Sequence, residues 1–317
     1  MNALQELLTN TVDYAGLFPP ASLSLDQVVA NYSQYQASDE KSMLARLILP
    51  ANKLQAFEKE VQSSPDVTGL PWKISGLVPP IQFNNGTASA EALENALATI
   101  QKFNSDHSDI GQVDVVEVKV TNESELNATV ESIPESIIPF IEIPLAKLEL
   151  LDQISAARST QKVFAKIRTG GIAPELIPSV QSVASFIIRC ASLELGFKAT
   201  AGLHHPIRSE YRLTYEEDSK IATMHGYLNL FVAASIAFHH KTPIDTITAI
   251  LETSDANQFK ITPQAISWRD LTVTGEQIRK FRERGLASFG SCSFLEPVSE
   301  IVAIDSINST DLFPDQN

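Results

Sequence analysis

The chain has 317 residues, of which 44% are hydrophobic and 20% charged, and its formal net charge is -14. That is an ordinary soluble composition and enough chain for one large α/β domain. The acidic balance, spread along the sequence, excludes the basic surfaces on which nucleic acid or anionic membranes are bound.

The opening stretch, MNALQELLTN, has no basic region and no apolar stretch, so it is not read as a secretory signal. Strand-like segments then recur at 12–19, 43–50, 72–80, 113–120, 137–144, 162–170, 195–203 and 286–294. Helical-period segments follow most of them, including SLSLDQVVANYSQY, TASAEALENALATIQKF and SVQSVASFIIRCASLEL. Strands alternating with helices predict a parallel sheet wrapped by helices. Eight such strands predict a single (β/α)8 TIM barrel over 1–304, with an open doubly wound sheet as the alternative. Residues 204–285 are too long for one βα unit and are expected to form a helical insertion between strands 7 and 8. The apolar stretch YLNLFVAASIAF is about a dozen residues, a buried core helix and too short to span a membrane. Residues 305–317 are read as a polar tail. Cys190 and Cys292 form no C-x-x-C pair, which fits a reduced, cytoplasmic protein.

Side chains alternate along a strand. If the apolar positions face the helices, Phe140, Glu142, Phe164, Lys166, Arg168, Lys198 and Thr200 face the barrel interior. Glu117 and Lys119 do the same in VDVVEVKV, as does Arg46 in LARLILP. The charged groups fall toward the C-terminal ends of their strands, the end that carries the active site of barrel enzymes. Burying so many charges is costly unless they pair, and Glu142 with Lys166 is the expected pair. Two nearby ammonium groups repel, which drives one toward the neutral amine, a nucleophile for carbonyl carbon. Satisfied ion pairs at a polar barrel mouth are the structural alternative.

FAKIRTG, with Phe164, Lys166, Thr169 and Gly170, and GFKATAG, with Gly196, Phe197, Lys198 and Gly202, resemble the paired-lysine strands of the deoxyribose-phosphate aldolase family. These are class I aldolases of barrel fold. The resemblance implies that Lys166 is the Schiff-base lysine and Lys198 the lysine that perturbs it. VDVV at 113–116 resembles the strand that carries the family's catalytic aspartate, which would be Asp114. SFGSCS at 288–293 resembles its phosphate-binding turn, implying Ser291 and Ser293. The match covers roughly 113–203 and 286–296. It departs from the family in the insertion after Lys198, in the first three strands, and at Asp114, which alternation places on the outward face unless a bulge intervenes. Glu117 is then the better acid/base group.

LHHPIR places His204, His205 and Arg208 in a loop over the mouth, for substrate binding or proton transfer. Asp13, beside Tyr14 in the first strand, could reach the mouth or serve a turn. His225 and Asn229 share a helix face, as a lid or as core. His239 and His240 read as helix-end structure, and His107 as surface.

The reading is a class I aldolase-like carbon–carbon lyase. Lys166 attacks a small carbonyl substrate, Lys198 perturbs it, and Glu117 or Glu142 moves protons. Arg46, Arg168, Thr200, His204, His205, Arg208, Ser291 and Ser293 bind substrate. No metal or organic cofactor is needed, and the partner is a small anionic or carbonyl molecule, phosphorylated or not. Barrels often pair, so a homodimer fits. The rival readings are a metal-dependent barrel lyase or isomerase using Glu117 and Glu142, and a non-catalytic barrel that binds a small anion.

Overall fold

The structure is a computed structural model, and it describes residues 1–84, 87–159 and 161–308. Eight parallel strands close a barrel: β1 (Val12–Tyr14), β2 (Leu44–Pro50), β3 (Trp72–Leu77), β4 (Gly111–Lys119), β5 (Ile138–Glu142), β6 (Phe164–Arg168), β7 (Phe197–Thr200) and β8 (Leu286–Ser291). Each strand pairs with its sequence neighbours, and β1 closes on β8 through Val12, Asp13 and Tyr14 opposite Phe289, Gly290 and Ser291. The fold is the expected TIM barrel.

Each strand feeds a helix that lays its apolar stripe on the barrel. Helix Glu91–Asp106 buries Leu93, Leu97, Ile100 and Phe103, a 3,4-spaced face. Helix Val180–Ser192 is capped by the Ser179 side chain, which accepts from the Ser182 amide, and it buries Val183, Phe186, Ile187 and Cys190. Inside the barrel, Phe140 stacks on Phe164 with ring centroids 5.3 Å apart, the inward orientation that alternation required.

The long stretch between β7 and β8 holds more than helices. Helix Tyr227–His239 is buried along its whole length from Tyr227 to Ile236, and it packs against helix Val180–Ser192 as part of the barrel's own wall. Helices Ile244–Glu252 and Gly275–Arg284 follow it. Two antiparallel sheets were not expected. One is a hairpin of Ser209–Arg212 with Ile221–Met224; the other joins Phe259–Ile261, Ala265–Trp268 and Leu271–Thr274. The first strand of the hairpin, SEYR, is almost entirely exposed, so it carries no apolar alternation to reveal it. The final helix, Leu295–Asn308, covers the start of the expected polar tail; residues 309–317 lie outside the described residues. Among the described residues no helix is long and apolar enough to cross a membrane. Cys190 and Cys292 are both free.

Candidate active site

Lys166 and Lys198 are register partners in β6 and β7, so their side chains point the same way into the barrel. A single carboxylate joins them. Glu117, from β4, lies with one oxygen 2.7 Å from the Lys166 Nζ and the other 2.7 Å from the Lys198 Nζ. Lys166 also lies 2.8 Å from Glu142 of β5, and Arg168 donates from Nε to the second oxygen of Glu142 at 3.2 Å. Lys198 donates to Asp13 of β1 at 2.6 Å. Two hydroxyls complete the network: Ser75 donates to Glu117 and Ser288 donates to Asp13, both at 2.6 Å. Three carboxylates thus meet three cations, which is how so many buried charges are tolerated.

The electrostatics follow from these contacts. Burial would raise the pKa of Glu117, but the two ammonium groups outweigh it and hold the carboxyl well below its usual range. Glu142 is lowered in the same way by Lys166 and Arg168, again against its burial. Burial would lower Lys198, yet Asp13 and Glu117 hold it above the usual lysine value. The expected repulsion between two bare ammonium groups is therefore not what the site contains, because Glu117 stands between them.

Above this charge layer opens a cavity of about 530 Å³ at the C-terminal end of the barrel. Leu77, Lys119, Glu142, Arg168 and Thr200 are the last residues of β3 to β7, and all five line it. Lys166 and Glu117 form its floor; Lys198 and Asp13 lie beneath and do not line it. The rest of the wall is largely apolar, with Phe18, Ile48, Val78, Leu213 and Met224. The two glycine turns named in the sequence have a packing reason: a Cβ on Gly170 would lie 2.9 Å from the Gly202 Cα, and Gly202 itself has φ +73°. The turns after β6 and β7 touch backbone to backbone.

Other named residues fall elsewhere. A register shift between β3 and β4 leaves Asp114 as the extra residue between Val113 and Val115, a β-bulge. Asp114 then binds Arg46 at both ends, Nε to Oδ1 at 2.8 Å and Nη2 to Oδ2 at 2.6 Å, away from the cavity. The bulge re-aims Asp114, but onto Arg46 rather than onto the lysines. His205 is held by Glu300 and stacked on Tyr211, outside the cavity. Arg208 lines a separate surface pocket with His225. Asn229 accepts from the Arg208 amide and donates to Ile250 and Thr253, a structural role. His239 and His240 place ring nitrogens against the Gln277 and Thr272 carbonyls, and His107 faces Glu58.

The serine turn is also otherwise engaged. The Ser293 hydroxyl accepts from the Glu296 amide, capping the last helix, and Ser291 is buried against His204. Its neighbours Gly290 and Cys292 line the cavity instead. Cys292 brings a group of side chains that sequence order did not connect. The His204 Nδ1 lies 3.9 Å from the Cys292 sulfur and 3.2 Å from Glu296, and the Tyr215 hydroxyl reaches both Cys292 and Glu296. Burial alone would lower the His204 pKa; Cys292 and Glu296 override it and hold it at about 9. These partners favour the protonated ring in the cavity wall.

The two carboxylates that a metal site would use, Glu117 and Glu142, are bridged by the Lys166 Nζ. Among the described residues no group of three or more His, Cys, Asp or Glu is arranged to hold a metal ion. No protein-family model, no curated protein and no solved structure matches the chain.

Proposed function

We propose that the chain is a class I aldolase-type lyase, with Lys166 as the nucleophile that forms a Schiff base with a carbonyl substrate. One observation carries this reading. The Lys166 Nζ lies on the floor of a largely apolar cavity at the C-terminal end of the barrel, between two carboxylates at 2.7 and 2.8 Å.

The chemistry follows from that placement. A proton passes from Nζ to Glu142 across 2.8 Å and releases the neutral amine. The amine attacks the carbonyl carbon, and the C–N bond forms. Glu142 returns that proton to the oxygen, then carries a second one from the new C–N nitrogen to the same oxygen, which departs as water and leaves the iminium. Glu117 stays ionised beneath, because Lys198 holds its other oxygen, and so offers negative charge where the iminium is positive. Lys198 acts through Glu117, as a positioning residue.

The test is turnover of a carbonyl substrate by Lys166→Ala and by the wild type with a chelator. The reading requires that the variant lose turnover and that the chelator leave the wild type unchanged. An active Lys166→Ala protein sinks it. Loss of wild-type turnover to the chelator points to the metal-dependent class.

A further inference from the structure

The shape and charge of the cavity go further than the reaction class and rest on the Lys166 reading just given. The wall above Lys166 is built by Phe18, Pro20, Ile48, Leu77, Leu213 and Met224. The apolar surface continues to the rim, where Ile172 and Leu176 line the cavity and remain 49% and 47% exposed. Large apolar side chains left open around a concave site mark the region a ligand covers. A polyhydroxylated, phosphorylated substrate has nothing to place against that wall, and its hydroxyls would lose water without gaining partners. The turn that could have received a phosphate is engaged in capping the last helix and in holding His204.

An anionic group is nevertheless expected. In a chain of net charge -14, the cavity wall gathers Lys119, Lys166, Arg168 and His204 against Glu117 and Glu142. Among the described residues no carboxylate lies within salt-bridge distance of Lys119. Arg168 gives its Nε to Glu142, and its side chain is 51% exposed toward the mouth. Arg168 and Lys166 share the two oxygens of Glu142, at 3.2 and 2.8 Å. A substrate carboxylate received by Arg168 therefore lies next to the carbon that Lys166 attacks, which is the arrangement of a 2-oxo acid.

We propose that the substrate is a 4-hydroxy-2-oxo acid whose fourth carbon carries an alkyl or aryl group. The carboxylate rests on Arg168 and Lys119, the 2-oxo carbon on Lys166, and the apolar group against the upper wall. The step balances without a further reactant. With the iminium formed at C2, the C3–C4 bond breaks, and its electron pair moves into the C2–C3 bond to give the enamine. The C4 hydroxyl proton passes to a floor carboxylate as the apolar aldehyde forms. That proton returns to C3, and water hydrolyses the iminium to pyruvate and the free lysine. The nitrogen that Lys166 contributes is restored.

The experiment compares pyruvate release from 4-hydroxy-2-oxo-4-phenylbutanoate with aldehyde release from 2-deoxyribose 5-phosphate, using the full chain. Calorimetric binding of phenyllactate, which has no carbonyl, is measured alongside. The proposal expects kcat/KM for the phenyl substrate at least tenfold above that for the phosphosugar. It also expects phenyllactate binding that weakens about tenfold in Arg168→Gln. Preference for the phosphosugar overturns the substrate class and leaves the Lys166 reading standing. Phenyllactate binding without turnover of either compound overturns the Lys166 reading and keeps the cavity's preference for an apolar acid. Failure of phenyllactate to bind overturns the substrate class in every case.

Discussion

Lys166 and Lys198 are partners in adjacent strands, and they hold opposite oxygens of the same Glu117 carboxylate, each at 2.7 Å. The pair is therefore asymmetric in surroundings though symmetric in register. Lys166 opens on the cavity, whereas Lys198 is sealed beneath it against Asp13 and over the Phe140 ring, 5.5 Å from its centroid. In the proposed function, Lys166 meets the substrate and Lys198 holds the carboxylates.

That asymmetry gives Lys198 a structural role that a single substitution exposes. Lys198→Met leaves Asp13 and Glu117 as buried charges that have lost a partner, which costs about 3–5 kcal/mol. Urea unfolding is expected to show a clear loss of midpoint in Lys198→Met, partly restored by adding Asp13→Asn. An unchanged midpoint in the single variant would show that the buried network does not hold the barrel together.

The pH dependence of stability has two limbs, and their signs differ. The folded pKa of Glu117 lies below its ordinary value of 4.5, and Glu142 is lowered likewise. Their contribution is fully present above about pH 4.5 and is lost as pH falls through the folded values. His204 is raised from 6.5 to about 9 by Cys292 and Glu296, with Ser291 and Tyr215 completing its surroundings. Its contribution is fully present below pH 6.5 and is lost as pH rises through about 9. Unfolding midpoints measured from pH 3 to 10 should fall at both ends. His204→Gln should flatten the alkaline limb and leave the acid limb in place. An unaltered alkaline limb in that variant would contradict the Cys292–His204–Glu296 contacts.

The two cysteines differ enough to be told apart chemically. Cys190 is wholly buried in the helix Val180–Ser192, and burial raises its pKa well above the usual thiol value. Cys292 lines the cavity, its sulfur 3.9 Å from the His204 Nδ1. Iodoacetamide on the native protein, read by peptide mass spectrometry, is expected to label Cys292, which lines the cavity, and to spare Cys190, which does not. Equal labelling of both would mean that the cavity does not open as described.

The strands that built the barrel were legible because parallel strands are buried on both faces and read as apolar runs closed by small residues. IIPFIEIP and KVFAKIRTG are of this kind. Period-two alternation within those runs then brought Glu117, Glu142 and Lys166 to one place. At Asp114 the bulge that alternation left open is present: one extra residue in β4 shifts the register, and the side chain binds Arg46 rather than the lysines. Ser293 was misleading for a different reason. A serine before a helix serves equally as an anion-binding turn or as an N-cap, and the Glu296 amide takes its hydroxyl. The grouping of His204, Tyr215, Cys292 and Glu296 left no sequence signal, since the segment after β7 meets the turn and helix after β8 only when the barrel closes. The hairpin Ala265–Trp268 with Leu271–Thr274 did leave one. Ile266, Trp268 and Val273 alternate around the turn at Arg269 and Asp270, and Arg269 has φ 51°.

The most direct test of the central claim is reductive trapping. The protein is incubated with pyruvate and borohydride, and the adduct is located by peptide mass spectrometry. An adduct on the peptide that carries Lys166, absent in Lys166→Ala and present though weaker in Lys198→Met, is the expected result. An adduct on Lys198, or an adduct that survives in Lys166→Ala, would contradict the assignment of Lys166 as the nucleophile.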